Sequence, residues 1–166
     1  MKILGIGNAI VDVICKVDDN FIAQNGLTKS TMKLIFDENE FKKLLSSLKI
    51  EKTVSGGSVA NSIVGLSQLG NKVGFIGKVN DDDLGVKYEE GLKKENVEYF
   101  YSKKKEELPT GTCLILITPD SERTMCTFLG IAEKISDKDI DENAVKNSEL
   151  ILLEGYLWDE GEPKTA

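Results

Sequence analysis

The chain has 166 residues, 40% of them hydrophobic and 30% charged, with 21 basic and 28 acidic side chains for a net charge of −7. That suffices for one soluble domain with a real core, and its acidity argues against a dedicated nucleic-acid or anionic-membrane binder, whose affinity rests on basic side chains. Histidine is absent, which removes Ser–His and Cys–His nucleophiles and His-ligated metals from within the chain.

In chain order, residues 3–8 predict a buried strand (Ile3, Leu4, Ile6), and Ile10, Val11, Val13, Ile14 and Val17 a second strand over 10–17. A short strand follows over 31–36. Asp37 with Glu40 three residues on has the spacing of a capping box and opens a helix through about Leu48. Ser55-Gly56-Gly57 marks a turn. Val59, Ile63, Leu66 and Leu69 give 58–69 a helical period, with Gly70 where a helix-ending glycine belongs. A strand over 72–76 and a polar-faced helix over 83–95 come next. Strands are predicted over 97–101, 112–118 and 124–129, the last two separated by Pro119-Asp120-Ser121-Glu122 as in a hairpin. Ser136 caps a short helix. Leu150-Ile151-Leu152-Leu153 is a continuous apolar run, the mark of a strand buried on both faces. Residues 158–166 begin a new element and stop, so the chain reads as cut in mid-fold.

Strands near 3–8, 72–76 and 149–154 alternate with helices, which implies parallel βαβ units. The shorter strands at 10–17, 31–36, 97–101, 112–118 and 124–129 make a separate small sheet. Cys15, Cys113 and Cys126 are odd in number and far apart, with no C-x-x-C spacing; they read as reduced thiols of a cytoplasmic protein. The opening segment is too short and too broken by glycines for a signal h-region or a membrane span.

Four places carry candidate chemistry. Gly5-Ile6-Gly7-Asn8-Ala9-Ile10 lacks the third small residue and the following helix of a dinucleotide fingerprint; its glycines let the backbone pass close to a ligand or to a neighbouring strand. Asp12, an acid between Ile10 and Ile14 on one strand face, needs a partner and can accept two hydroxyl hydrogen bonds from a diol, unless it sits at a strand end and points to water. In Gly56-Gly57-Ser58-Val59-Ala60-Asn61 the paired glycines admit a polar ligand to backbone amides and Asn61 offers a donor and an acceptor; a tight turn with Ser58 as N-cap and a solvated Asn61 is an equal reading. The acids of Gly77-Lys78-Val79-Asn80-Asp81-Asp82-Asp83-Leu84-Gly85 fit a helix N-terminus better than a cation site, lacking EF-hand spacing.

Taken in order, Gly-x-Gly-Asn with Asp12 behind it, GGSVAN, GKVNDDDLG and Pro109-Thr110-Gly111-Thr112-Cys113 resemble the N-terminal half of the ribokinase-like (PfkB) sugar and nucleoside kinases, closest to their adenosine kinase branch. The resemblance covers nearly the whole chain. It implies a three-layer α/β sandwich, here incomplete, with a small β lid built from 10–17, 31–36, 97–101, 112–118 and 124–129. It further implies that Asp12 and Asn61 hold acceptor hydroxyls beside Gly56 and Gly57, that Arg123 lies near the substrate and the transferred phosphate, and that Ile35, Cys113 and Met125 line a nucleobase pocket or simply pack the lid. The implied activity is phosphorylation of a hydroxymethyl group of an adenosine-like nucleoside, or of a sugar, by ATP with Mg²⁺. The family's catalytic Gly-Ala-Gly-Asp segment does not occur here, so the catalytic base is expected in a missing C-terminal half and the 166 residues alone are expected to be inactive. The alternative is a non-catalytic binding module, stable as a homodimer through its lid sheet.

Overall fold

The computed structural model describes residues 2–158. In chain order its elements are β1 (Ile3–Ile6), β2 (Ile10–Lys16), α1 (Asp19–Gln24), β3 (Met32–Leu34), α2 (Glu38–Ser46), β4 (Ile50–Gly56), α3 (Ser58–Gln68), β5 (Val73–Ile76), α4 (Asp83–Lys94), β6 (Glu98–Tyr99), β7 (Gly111–Ile117), β8 (Arg123–Phe128), α5 (Glu142–Lys146) and β9 (Leu150–Leu153), with 3-10 turns at Gly130–Lys134, Asp137–Asp139 and Gly155–Trp158. Helix starts follow local chemistry. Asp18, Asp37, Asp82 and Asp141 each accept a backbone N–H of the turn they cap, as N-cap acids do. The α3 helix differs: its N-cap is Gly57, which has no side chain to offer.

Two sheets organise the molecule. The core sheet is parallel, in the order β6-β5-β1-β9. On one face α3 and α4 pack Val59, Ile63, Tyr88 and Leu92 against Val73 and Phe75. On the other, Leu4 and Ile76 meet Ile135, Ala144 and Leu157. These are the three layers. The second sheet runs β3-β8-β7-β2-β4. Its Val11, Val13, Leu114, Leu116, Cys126 and Phe128 face inward to α1 and α2, where Phe41 stacks on Phe128 at 5.5 Å. Because residues paired across strands share a face, Asp12, Cys113, Met125 and Leu34 lie on the opposite face. That face is open: Met32, Leu34 and Met125 keep 45%, 38% and 37% of their surface.

Four expectations need correction. The 97–101 strand belongs to the core sheet, not the lid: it follows α4 directly, and the right-handed crossover from β5 through α4 sets it beside β5, where Tyr99 stacks on Phe75. The lid's fifth strand is β4, antiparallel to β2; as a half-exposed edge strand reading Ile-Glu-Lys-Thr-Val-Ser-Gly, it carries little apolar signal. The helix α1 was not expected. The β9 strand is not buried on both faces: among the described residues it pairs only with β1, leaving Leu150, Ile151 and Leu153 about half exposed. The element expected from residue 158 onward lies, past Trp158, outside the described residues.

Candidate functional site

Lid and core are joined where the chain crosses between sheets: at Gly7-Asn8-Ala9, Gly56-Gly57, Pro109-Thr110 and Leu129-Gly130. The crossings pack on one another. Gly57 takes φ +101°, a conformation that disfavours any side chain, and a Cβ there would sit 2.4 Å from the Asn8 carbonyl oxygen. The Ile131 amide donates to the Pro109 carbonyl at 2.9 Å.

Asp12 stands on β2 just beyond the first crossing, on the open lid face. Its carboxylate lies directly on Gly56: a Cβ at that position would come within 2.2 Å of Oδ2. Gly56 is thus the residue that leaves room for the acid, and the glycine is a packing requirement rather than a turn requirement. No described residue donates a hydrogen bond to the Asp12 carboxyl, and burial pushes it up to about 6. The row continues across the sheet. Asp12 stands opposite Cys113, and Cys113 opposite Thr127, whose hydroxyl donates to the Cys113 sulfur at 3.3 Å. Burial pushes the Cys113 thiol up to about 11, against that hydrogen bond.

The core side supports this row. Tyr88, fully buried, donates its hydroxyl to the Gly56 carbonyl at 3.2 Å, and Ser55 Oγ donates to the Tyr88 carbonyl at 2.9 Å. At the Pro109-Thr110 crossing, the Asp82 carboxylate accepts from Gly85 N, Thr110 N and Thr110 Oγ1, while Asn80 holds the backbone at residues 106 and 108. The acid run therefore does begin a helix, as read, and it also moors the root of β7. Lys78, buried, pairs with Asp139 at 3.0 Å and Glu106 at 3.3 Å. Burial acts to raise the Asp139 carboxyl, but hydrogen bonds from Lys78 and Ser136 outweigh it and hold it below the ordinary range.

The structure brings Asp12, Gly56, Gly57 and Cys113 together. Met125 is on the same open face, one row further along the strands, opposite Ile115. Arg123 shares the face but opens β8 at its far end, opposite Ile117, about 13 Å along the strand from Thr127 at roughly 3.3 Å per residue. Asn61 is exposed on the first turn of α3 and borders a groove of about 420 Å³ between the free edge of β4 and α4. Ile35 is buried in the lid's inner core, while its neighbours Leu34 and Phe36 are the exposed ones. Two buried acids, Asp139 and Glu154, escaped the sequence reading, and Glu154, just past the end of β9, is the one at the crossing. Its signal was a lone carboxylate straight after an apolar strand, at the carboxyl edge of a parallel sheet, where α/β proteins place ligands.

No group of three or more acidic or cysteine side chains among the described residues is arranged to hold a metal ion. No described helix is long and apolar enough to cross a membrane.

Comparison with known proteins bears on this geometry. A family model described as pfkB family carbohydrate kinase matches residues 6–166. Among curated proteins, the 5-dehydro-2-deoxygluconokinase of Clostridium perfringens is 37% identical over 123 residues, which is 72% of this chain and 36% of that protein. The protein of the same name from Clostridium beijerinckii is 36% identical over 126 residues, with the same coverage. Among solved structures, the adenosine kinase from Sinorhizobium meliloti superposes with a TM-score of 0.89 at 35% identity, covering 98% of this chain and 50% of that one. A probable sugar kinase from Rhizobium etli gives 0.89 at 34%, covering 98% and 49%. The chain therefore spans half or less of the length of these relatives.

Proposed function

The chain belongs to the pfkB family of carbohydrate kinases, and on that premise we propose that it supplies the acceptor-binding and lid half of a kinase that transfers a phosphoryl group from ATP to a hydroxyl of an adenosine-like nucleoside. The observation that carries the reading is the state of Asp12: a half-buried carboxylate without a donor, set on Gly56 at the root of the lid. Such a group binds best what brings two hydroxyl donors at once, and a vicinal diol does so. The apolar side chains Met32, Leu34 and Met125 beyond it offer an open shelf for a flat ring.

In the reaction, the acceptor oxygen bonds to the γ-phosphorus as the bond to the β–γ bridging oxygen breaks, and the acceptor proton passes to a base that this reading assigns to the C-terminal half. The residues here bind the diol, turn the reacting hydroxyl outward from the lid and keep water from it as the lid closes. ATP and Mg²⁺ are requirements of the intact kinase.

A second reading is a sugar acceptor of the 5-dehydro-2-deoxygluconate kind, favoured by the names of the curated relatives. A carboxylate-bearing acceptor calls for a cation, and Arg123 is a cation on the open face. An acceptor screen on the intact kinase with Mg·ATP separates the two: turnover of adenosine with Arg123→Ala silent supports the first, whereas turnover of the sugar acid alone, sensitive to Arg123→Ala, replaces it with the second.

A further inference from the structure

We propose that Glu154 is a positioning residue that latches the root of the lid to the core, setting the acceptor site without touching the acceptor; the kinetic half of this proposal rests on the function proposed above. Glu154 is 6% exposed, and no cation approaches it among the described residues. A buried carboxylate is costly unless its oxygens are used. Here both are. Oε1 accepts the Asn8 amide at 2.7 Å, and Oε2 accepts the Ser58 hydroxyl at 2.5 Å. One side chain at the end of a core strand therefore holds the first crossing into the lid and the first residue of α3, on either side of Gly57.

Two further features suit an anion here. The α3 helix is the one described α-helix capped by a glycine, so its N-terminal partial positive charge is met by Glu154 instead of by a local acid. Gly7 leaves the space the carboxylate fills, since a Cβ there would lie 3.0 Å from its Cδ and Oε2. Among the described residues the Asn8 amide has no backbone acceptor, and Glu154 is its one partner. Asn8 in turn stands four residues before Asp12, in the crossing that leads into the strand carrying the unpartnered acid. Freed from Glu154, this crossing loses its fixed path, and with it the seat of Asp12 on Gly56.

The test compares Glu154→Ala with Glu154→Gln in the intact kinase, reading amide hydrogen exchange at Asn8 and steady-state constants for acceptor and ATP. The alanine variant is expected to speed Asn8 exchange at least about tenfold while Gly7, whose amide bonds to the Ile76 carbonyl, stays protected. It should raise the acceptor KM about tenfold and leave the ATP KM unchanged. Glutamine should restore most of both, because its oxygen still accepts from Asn8 and the Ser58 hydroxyl can turn to accept from its NH₂. Ser58→Ala, which loses only one contact, should move both readouts less, and it decides the matter if Glu154→Ala does not fold. A raised acceptor KM with Asn8 still protected means that Glu154 meets the acceptor itself, which overturns the proposal. Faster Asn8 exchange with an unchanged acceptor KM overturns it too. Should no acceptor be turned over, the function proposed above fails, and Asn8 exchange alone then judges the latch.

Discussion

The two sheets treat their acids in opposite ways. In the core layer, buried and half-buried acids are answered: Asp139 by Lys78, Lys104 and Ser136, Asp82 by Thr110 and Gly85, Glu154 by Asn8 and Ser58. On the open face of the lid, Asp12 is half-buried and unanswered. A scaffold satisfies its own polar groups, whereas a binding site leaves one to be satisfied by what it binds. The difference separates residues that hold the fold from residues that wait for a ligand, and it is open to experiment from both sides.

The largest effect is expected in the core. Lys78→Met strips Asp139 of its buried cation and leaves it the exposed Lys104 at 3.5 Å, at a cost of about 3 kcal/mol, and calorimetry should show Tm lowered by about 6–12 °C. A loss under 1 kcal/mol would erase the contrast. On the lid, Asp12→Asn should do the reverse. Acceptor KM should rise about 100-fold or more, since two charged hydrogen bonds are lost at about 1.5–3 kcal/mol each, while Tm at neutral pH holds or rises. The sign follows from linkage. The folded chain binds the Asp12 proton up to about pH 6, above the unfolded value of 3.8, so ionisation costs stability as pH climbs through that window. A fall in Tm with unaltered acceptor kinetics would make Asp12 a structural residue.

Gly56→Ala sharpens the comparison further. The new methyl would displace the Asp12 carboxylate rather than open a cavity, so acceptor KM should rise by about tenfold or more with only modest change in the unfolding midpoint in urea. Next is a pH profile: acceptor affinity should weaken up to about tenfold per unit as pH falls below about 6, where Asp12 takes up its proton, with ATP affinity flat across the same range. The smallest effect is Tyr88→Phe, which removes one hydrogen bond to Gly56 and keeps the ring, for about 1 kcal/mol in chemical denaturation.

What the sequence disclosed followed the strength of its local patterns. Asp37 as N-cap, Gly70 after α3 and the apolar strands β1, β2, β5, β7 and β8 all read correctly, because capping and alternation are written within a few residues; the Glu40 half of the expected capping box does not form, its carboxylate pairing with Lys33 instead. The β4 strand did not, since an edge strand with one solvent side needs few apolar residues. The 97–101 segment was recognised as strand but placed in the wrong sheet; only the crossover through α4 decides its neighbour, and that is a tertiary fact. At the site, Asp12 was legible as an acid in an apolar strand, and Gly56 as half of a glycine pair. Why Gly56 must be glycine was not, because the carboxylate that occupies its space arrives from another strand. Glu154 and Lys78 were missed for a like reason: each is a single charge whose partners lie far away in sequence.

The strand order of the lid also bears on how the molecule is made. Its centre is the parallel pair β2 and β7, in which Ile10 meets Gly111 and Lys16 meets Ile117. The intervening chain builds most of the core layer before β7 is available. On a ribosome, β2 can pair with β4 once residue 56 has emerged, but its other edge stays open until β7 has followed. Pairing at such sequence separation pays its loop-closure entropy late and slows folding. The centre of the lid thus closes late and, until it does, the open edge of β2 is exposed to mispairing with another nascent chain.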